Sequence, residues 1–192
     1  MFLTEADGSP APVMPVTEAV EHLRLGHGFA DDGSEDALVE RYLRSAMAAV
    51  ERRIGQALIR RRFAVSVSRW DRTGRLAMPL GPVEAIVSAE LDTGAGPSAL
   101  SIEGWTVEPC AQRPRLSRNG GALAPIPRGG RVRIVFEAGL AADWPGVPAD
   151  LREAVLLLAA EFYERRGTEH VAAAGFPGPV ASLLAPHMAL RV

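Results

Sequence analysis

The chain has 192 residues, 47% of them hydrophobic, and a formal net charge of −2. That length supports one substantial core, or a core with an appended β module, and would leave two independent domains cramped. The lone Cys110 excludes an internal disulfide and a cysteine-based zinc site. No apolar run approaches the roughly 20 residues of a membrane span, and the start MFLTEADGSP lacks the basic lead and apolar centre of a signal peptide, so a soluble intracellular product is expected.

Residues 1–15 carry Gly8, Pro10, Pro12 and Pro15 with little periodicity and read as a flexible, extended or disordered arm. Thr17 is expected to cap a short helix over 17–25, with Ala19, Val20 and Leu23 as its apolar face and Gly26 and Gly28 ending it. A second start signal follows, either Asp32 with Glu35 at capping-box spacing or Ser34 as the cap. From there Val39, Tyr42, Leu43, Ala46, Met47, Val50 and Ile54 recur at steps of three and four, predicting an amphipathic helix over 35–54. It would be about 30 Å long.

After Gly55 the period changes to alternation, first over 62–70, where Phe63, Val65 and Val67 share a face. Further strands are predicted over 76–78, 83–91, 102–108, 115–117 and 131–136, separated by turn signals at Gly81-Pro82, 94–97, 119–121 and Gly129-Gly130. Next comes VPADLREAVLLLAAEFYERRG, 147–167, a helix with Pro148 at its start, Asp150 and Glu153 at capping-box spacing, and Arg165, Arg166 and Gly167 at its end. Leu151, Ala154, Val155, Leu158, Ala159 and Phe162 form its core stripe. Leu156, Leu157 and Ala160 widen that stripe nearly all round, which suits a central core helix or one that also meets another subunit. A short helix over 178–185 precedes Pro186 and an apolar tail with Met188, Leu190 and Val192. The fold class is α+β: a small helical bundle (17–25, 35–54, 151–166, 178–185) with a β-rich insertion, about 60–138, between the second and third helices, all in one domain over 16–192.

Chemistry is sparse. There is no G-x-S-x-G elbow, phosphate loop or H-E-x-x-H, so no catalysis and no cofactor are expected. His27, Asp31 and Asp32 offer three ligand atoms, but without EF-hand spacing, and helix capping accounts for the same acids; no metal is expected. His22, His170 and His187 read as surface or packing residues, Cys110 as a small part-buried apolar one, and Trp70, Trp105 and Trp144 as core or interface rims whose indole N–H needs an acceptor.

All 21 basic residues are arginine, and charge segregates by segment. Glu18 to Glu51 is acidic, whereas 52–75 and 113–133 are arginine-rich. The cluster Arg52, Arg53, Arg60, Arg61 and Arg62 has three readings: contacts with carboxylates of a neighbouring subunit or partner, a solvated face, or phosphate binding. The first is preferred, because the planar guanidinium pairs bidentately with carboxylates and arginine is common at interfaces.

Several landmarks fall in one order: PVTEAVEHLRL at 15–25, VERRIGQAL at 50–58, MPLGPVEAIVSAELD at 78–92, VRIVFEAGL at 132–140, the 147–167 helix, and PVASLLAPHMALRV at the end. Over nearly the whole chain from Val16 this resembles the head–tail connector, or adaptor, family of tailed bacteriophages and phage-like gene transfer agents. Its better motifs are the Met78-Pro79-Leu80-Gly81-Pro82-Val83 turn and the Phe136-Glu137-Ala138-Gly139 strand end. The proline-bearing N-terminal arm and the Gly- and Pro-rich β insertion depart from it.

The resemblance implies a structural protein. It would form a homo-oligomeric ring of about twelve subunits between the portal and a tail-side connector or tail-terminator protein. Such a ring extends a channel through which double-stranded DNA passes without sequence-specific binding. It would assemble in the host cytoplasm, away from membranes, and end at the head–tail junction. Expected portal-docking residues are Leu183, Leu184, Pro186, Met188 and Leu190 of the C-terminal tail. Expected subunit-interface residues are Tyr42, Leu156, Leu157, Arg60, Arg61 and Arg62. The competing readings are a nucleic-acid-binding module using the arginine-rich segments, and another head- or tail-completion protein on a similar scaffold.

Overall fold

A computed structural model describes residues 1–6, 11–23, 34–108, 110, 114–165 and 175–188. They form two compact units, one of Met1–Pro12 with Gly55–Ala142 and one of Val13–Ile54 with Asp143–Val192. The β-rich segment between the second and third helices builds a core of its own.

Among the described residues the first unit has eight strands: β1 (Phe2–Glu5), β2 (Arg61–Val67), β3 (Leu76–Ala77), β4 (Val83–Asp92), β5 (Pro97–Leu100), β6 (Trp105–Glu108), β7 (Arg115–Arg118) and β8 (Arg131–Ala138). They make an antiparallel sheet in the order β1-β2-β8-β4-β5 and a smaller one in the order β3-β7-β6. Alternation decides which face is inside. Phe63, Val65 and Val67 stand opposite Phe136, Ile134 and Val132 in register, all six are buried, and the Phe63 and Phe136 rings stack at 5.8 Å. Leu76 and Leu116 of the smaller sheet complete this core.

Two strands run against the sequence reading. The arm over 1–15 contains β1, paired with β2 from Phe2↔Ser66 to Glu5↔Phe63. Its four residues sit in a segment whose glycine and prolines mask a strand signal. β5 begins on the last residue of the turn signal at 94–97, Pro97, which an edge strand tolerates because its missing N–H is not needed by the ladder.

The second unit is helical: α1 (Val16–His22), α2 (Ser34–Ile54), α3 (Ala149–Glu164) and α4 (Gly178–Leu184), with a single 3-10 turn at Ala185–His187. α2 packs on α3, and α3 on α4. Val39, Leu43, Ala46 and Val50 are buried from α2, and Leu151, Ala154, Val155 and Leu158 from α3. Gly55, at φ 71°, takes the left-handed conformation that stops α2.

The caps expected for α1 and α3 do not form, and Asp32, expected to cap α2, lies outside the described residues. Pro15 precedes α1 and Pro148 precedes α3, neither offering a side-chain acceptor, and Thr17 lies inside its helix. Asp150 instead accepts from the Leu151 N–H at 2.9 Å. Phe162, assigned to the core stripe, is only half-buried, and the buried residue of that turn is Tyr163. Its hydroxyl donates to Glu35 Oε2 at 2.8 Å and its ring meets Tyr42 edge-on at 6.1 Å. Among the described residues no helix is long and apolar enough to cross a membrane.

Candidate functional site

Three of the ordered sequence landmarks converge on one backbone junction. The segment after α2 takes Gly81 as a partner: Ala57 N–H donates to Gly81 O at 2.8 Å, and Gly81 N–H to Gly55 O at 3.1 Å. The end of β8 takes the next stretch, with Leu140 N–H donating to Ala57 O, Ala141 N–H to Leu58 O, and Arg60 N–H to Ala141 O at 2.7 Å. Gly139 N–H donates to Pro82 O at 3.1 Å. A side chain at Gly139 has no room, since its Cβ would lie under 3.0 Å from the Arg60 Cα and N. The two better motifs are thus read structurally: Gly139 leaves the room that the Arg60 backbone fills, and Gly81 supplies the backbone N–H and C=O that pair with Gly55 and Ala57.

Three of the five clustered arginines, Arg60, Arg61 and Arg62, find carboxylates, but on their own chain. Arg60 faces Glu84 at 3.5 Å, Arg61 Nε donates to Glu5 Oε1 at 2.7 Å, and Arg62 Nε donates to Glu137 Oε1 at 2.9 Å. Arg62 and Glu137 are cross-strand partners in the β2–β8 register. Arg61 is a correction to the expected interface, because its side chain is only 5% exposed, bonds the Ile59 carbonyl at 3.1 Å, and covers the Phe63 ring at 4.8 Å. Burying a guanidinium demands such partners. Arg60 and Arg62 stay about half exposed.

Other expected site residues separate by burial in the same way. Leu156 is buried at 5% exposure and Leu184 at 1%, so neither offers surface to a partner. Leu184 leaves the docking set because α4 packs on α3 and turns it inward, which the apolar pattern of so short a segment does not reveal. Tyr42, Leu157, Leu183 and Met188 are half-buried, Pro186 is exposed, and Leu190 lies outside the described residues, as do His27, Asp31, Asp32, Arg166, Gly167 and His170. Cys110 is exposed rather than part-buried. Among the described residues no group of three His, Cys, Asp or Glu is placed to hold a metal ion.

Sequence reasoning passed over two features. His187 Nε2 lies 2.6 Å from Asp150 Oδ2, tying the turn after α4 to the first turn of α3. Burial of Asp150 opposes its ionisation, yet the hydrogen bond and charge of His187, with the Leu151 N–H, outweigh it and hold the carboxyl below the usual 3.8. The second is an apolar groove of about 340 Å³ in the helical unit, lined by Ala49, Leu158, Phe162, Phe176 and Pro177, with the Glu161–Arg165 pair among its walls. Phe162 and the exposed side of α3 could have signalled it.

No family model and no curated protein matches the chain. Among solved structures, it is similar to a chain in the neck of an empty gene transfer agent particle computed with C6 symmetry, at 39% identity and TM-score 0.84 over 100% of this chain and 97% of that one. The chain belongs to the head–tail connector family of phage-like gene transfer agents. A chain in the virion of a native gene transfer agent particle matches this connector at 41% identity and TM-score 0.82. One in the native neck computed with C12 symmetry matches at 36% and 0.80; both cover 100% of the connector and 97% of the matched chain. Membership makes the connector a structural component of the particle neck.

Proposed function

We propose that this connector forms a closed ring of about twelve copies between the portal and the tail-side proteins. In that position it extends the channel along which double-stranded DNA leaves the head. The observation that carries this reading is likeness over the whole chain to a neck component in a C12 reconstruction. A ring of identical subunits needs two different surfaces per copy. The half-exposed Tyr42, Leu157, Arg60 and Arg62 are proposed for subunit contacts, and Leu183, Pro186 and Met188 for the portal.

The intrachain pairing of Arg60, Arg61 and Arg62 weighs against a nucleic-acid-binding module, since each guanidinium already faces a carboxylate. Purified connector, alone and mixed with portal, is the direct test, read by light scattering and by imaging of rings. Portal-bound rings are expected. A persistent monomer that never binds portal would overturn the reading, and binding to a tail-tube protein alone would replace it with a tail-completion role.

A further inference from the structure

β1 and β5 are the two edges of the five-stranded sheet. Both are four residues long and exposed along nearly their whole length. The register fixes which backbone groups of β1 are free. Ala6 N–H donates to Arg62 O at 3.0 Å, so in the two-residue alternation Thr4 and Phe2 also turn their groups toward β2. Leu3 and Glu5 therefore aim their N–H and C=O away from the sheet, and no described strand meets them there.

Natural edge strands are usually blunted by lysine, proline, a bulge or cover. β1 has none of the first three, and its one charge, Glu5, is drawn back to Arg61 at 2.7 Å; β5 carries one, Pro97 at its first position, which leaves Ala99 as its outward donor. Phe2 is 69% exposed and Leu3 37%. An edge with unpaired backbone groups and exposed apolar side chains is a template for another strand.

We propose that β1 of one copy pairs with β5 of the next, so that the large sheets of successive subunits run into one another around the ring. This rests on the ring reading above, and it names the contact. Pairing of β1 with β1 would close at two copies, whereas pairing opposite edges of one sheet is head-to-tail and generates a ring. The dimensions allow it. Five strands at about 4.8 Å span about 24 Å, so twelve subunits make a circumference of roughly 290 Å and a radius near 46 Å.

Cysteine pairs test the contact in assembled particles, in a chain carrying Cys110→Ser to remove the exposed native thiol. Leu3→Cys is combined in turn with Ser98→Cys, Ala99→Cys and Leu100→Cys, and the oxidised particles are run on a non-reducing gel. At least one combination should give a ladder of covalently linked subunits that neither single cysteine gives. Particles with a normal ring-containing neck and no ladder in any combination would overturn the β1–β5 contact while leaving the ring reading intact. Leu3→Cys captured by a different neck protein would also overturn it. Particles whose neck holds no ring of this chain would sink the ring reading as well. As a second variant, Leu3→Pro removes an outward N–H without removing a bond to β2. Its incorporation into particles should fall at least tenfold with the isolated chain still folded, and normal incorporation would overturn the proposal.

Discussion

Gly139 illustrates how one missing methyl group can hold a fold together. A Cβ there would press on the backbone of Arg60, not on a side chain able to swing aside, and Arg60 is itself fixed by its N–H bond to Ala141. Gly139→Ala should therefore destabilise the chain by about 1–3 kcal/mol, the usual cost of overpacking. Urea denaturation checks it, and unchanged stability would mean that the β8 end and the 57–60 segment do not approach as closely as described. Asp150 offers a pH test. Its carboxyl is held below 3.8 in the folded protein. Its contribution is complete above the unfolded value, about 3.9, and is lost as pH falls through the lower folded one. Asp150→Asn should flatten the acid limb of stability against pH below about 4, followed by denaturation from pH 6 downward.

Among the elements, α4 depends most on its packing against α3. Leu151 and Leu184 are both buried near completion, and α4 is only seven residues long, too short to persist without packing. Leu184→Ala should cost about 2–5 kcal/mol, as a buried leucine does, and thermal unfolding of the purified chain would show it. A surface leucine that served only a partner would change stability little. Much of the element level was legible in the sequence. The steps of three and four in Val39 to Ile54 became α2, and the alternation of Phe63, Val65 and Val67 became the inner face of β2, because such periods follow from burial on one side. β1 and β5 were not, since β1 lies in an arm marked by Gly8, Pro10, Pro12 and Pro15, and β5 opens on Pro97 inside a turn signal. The arginine cluster was legible in kind but not in partner. Arg61 meets Glu5 and Arg62 meets Glu137 across 56 and 75 residues, and nothing local encodes those encounters.

At the scale of the whole molecule, the C-terminal segment separates folding from assembly. Leu184 belongs to the interior, while Pro186 is exposed and Met188 half-buried. Deletion of 186–192 should leave a helical, cooperatively melting protein, slightly weakened by loss of the His187–Asp150 bond, that no longer joins heads. Circular dichroism and incorporation into particles read the two effects separately, and a truncated chain that enters particles normally would refute the portal assignment. The junction of 57–60 with 139–141 bears on something else, the tolerance of the chain to insertion. Backbone hydrogen bonds clamp these stretches side by side, so the distance between them is set without reference to how many residues lie between. Lengthening the turns at 94–96 or 119–121 adds only a slowly growing closure cost, about 0.6 kcal/mol per doubling of a loop. Residues inserted at these turns should therefore leave the clamp, and the stability it supplies, almost unchanged.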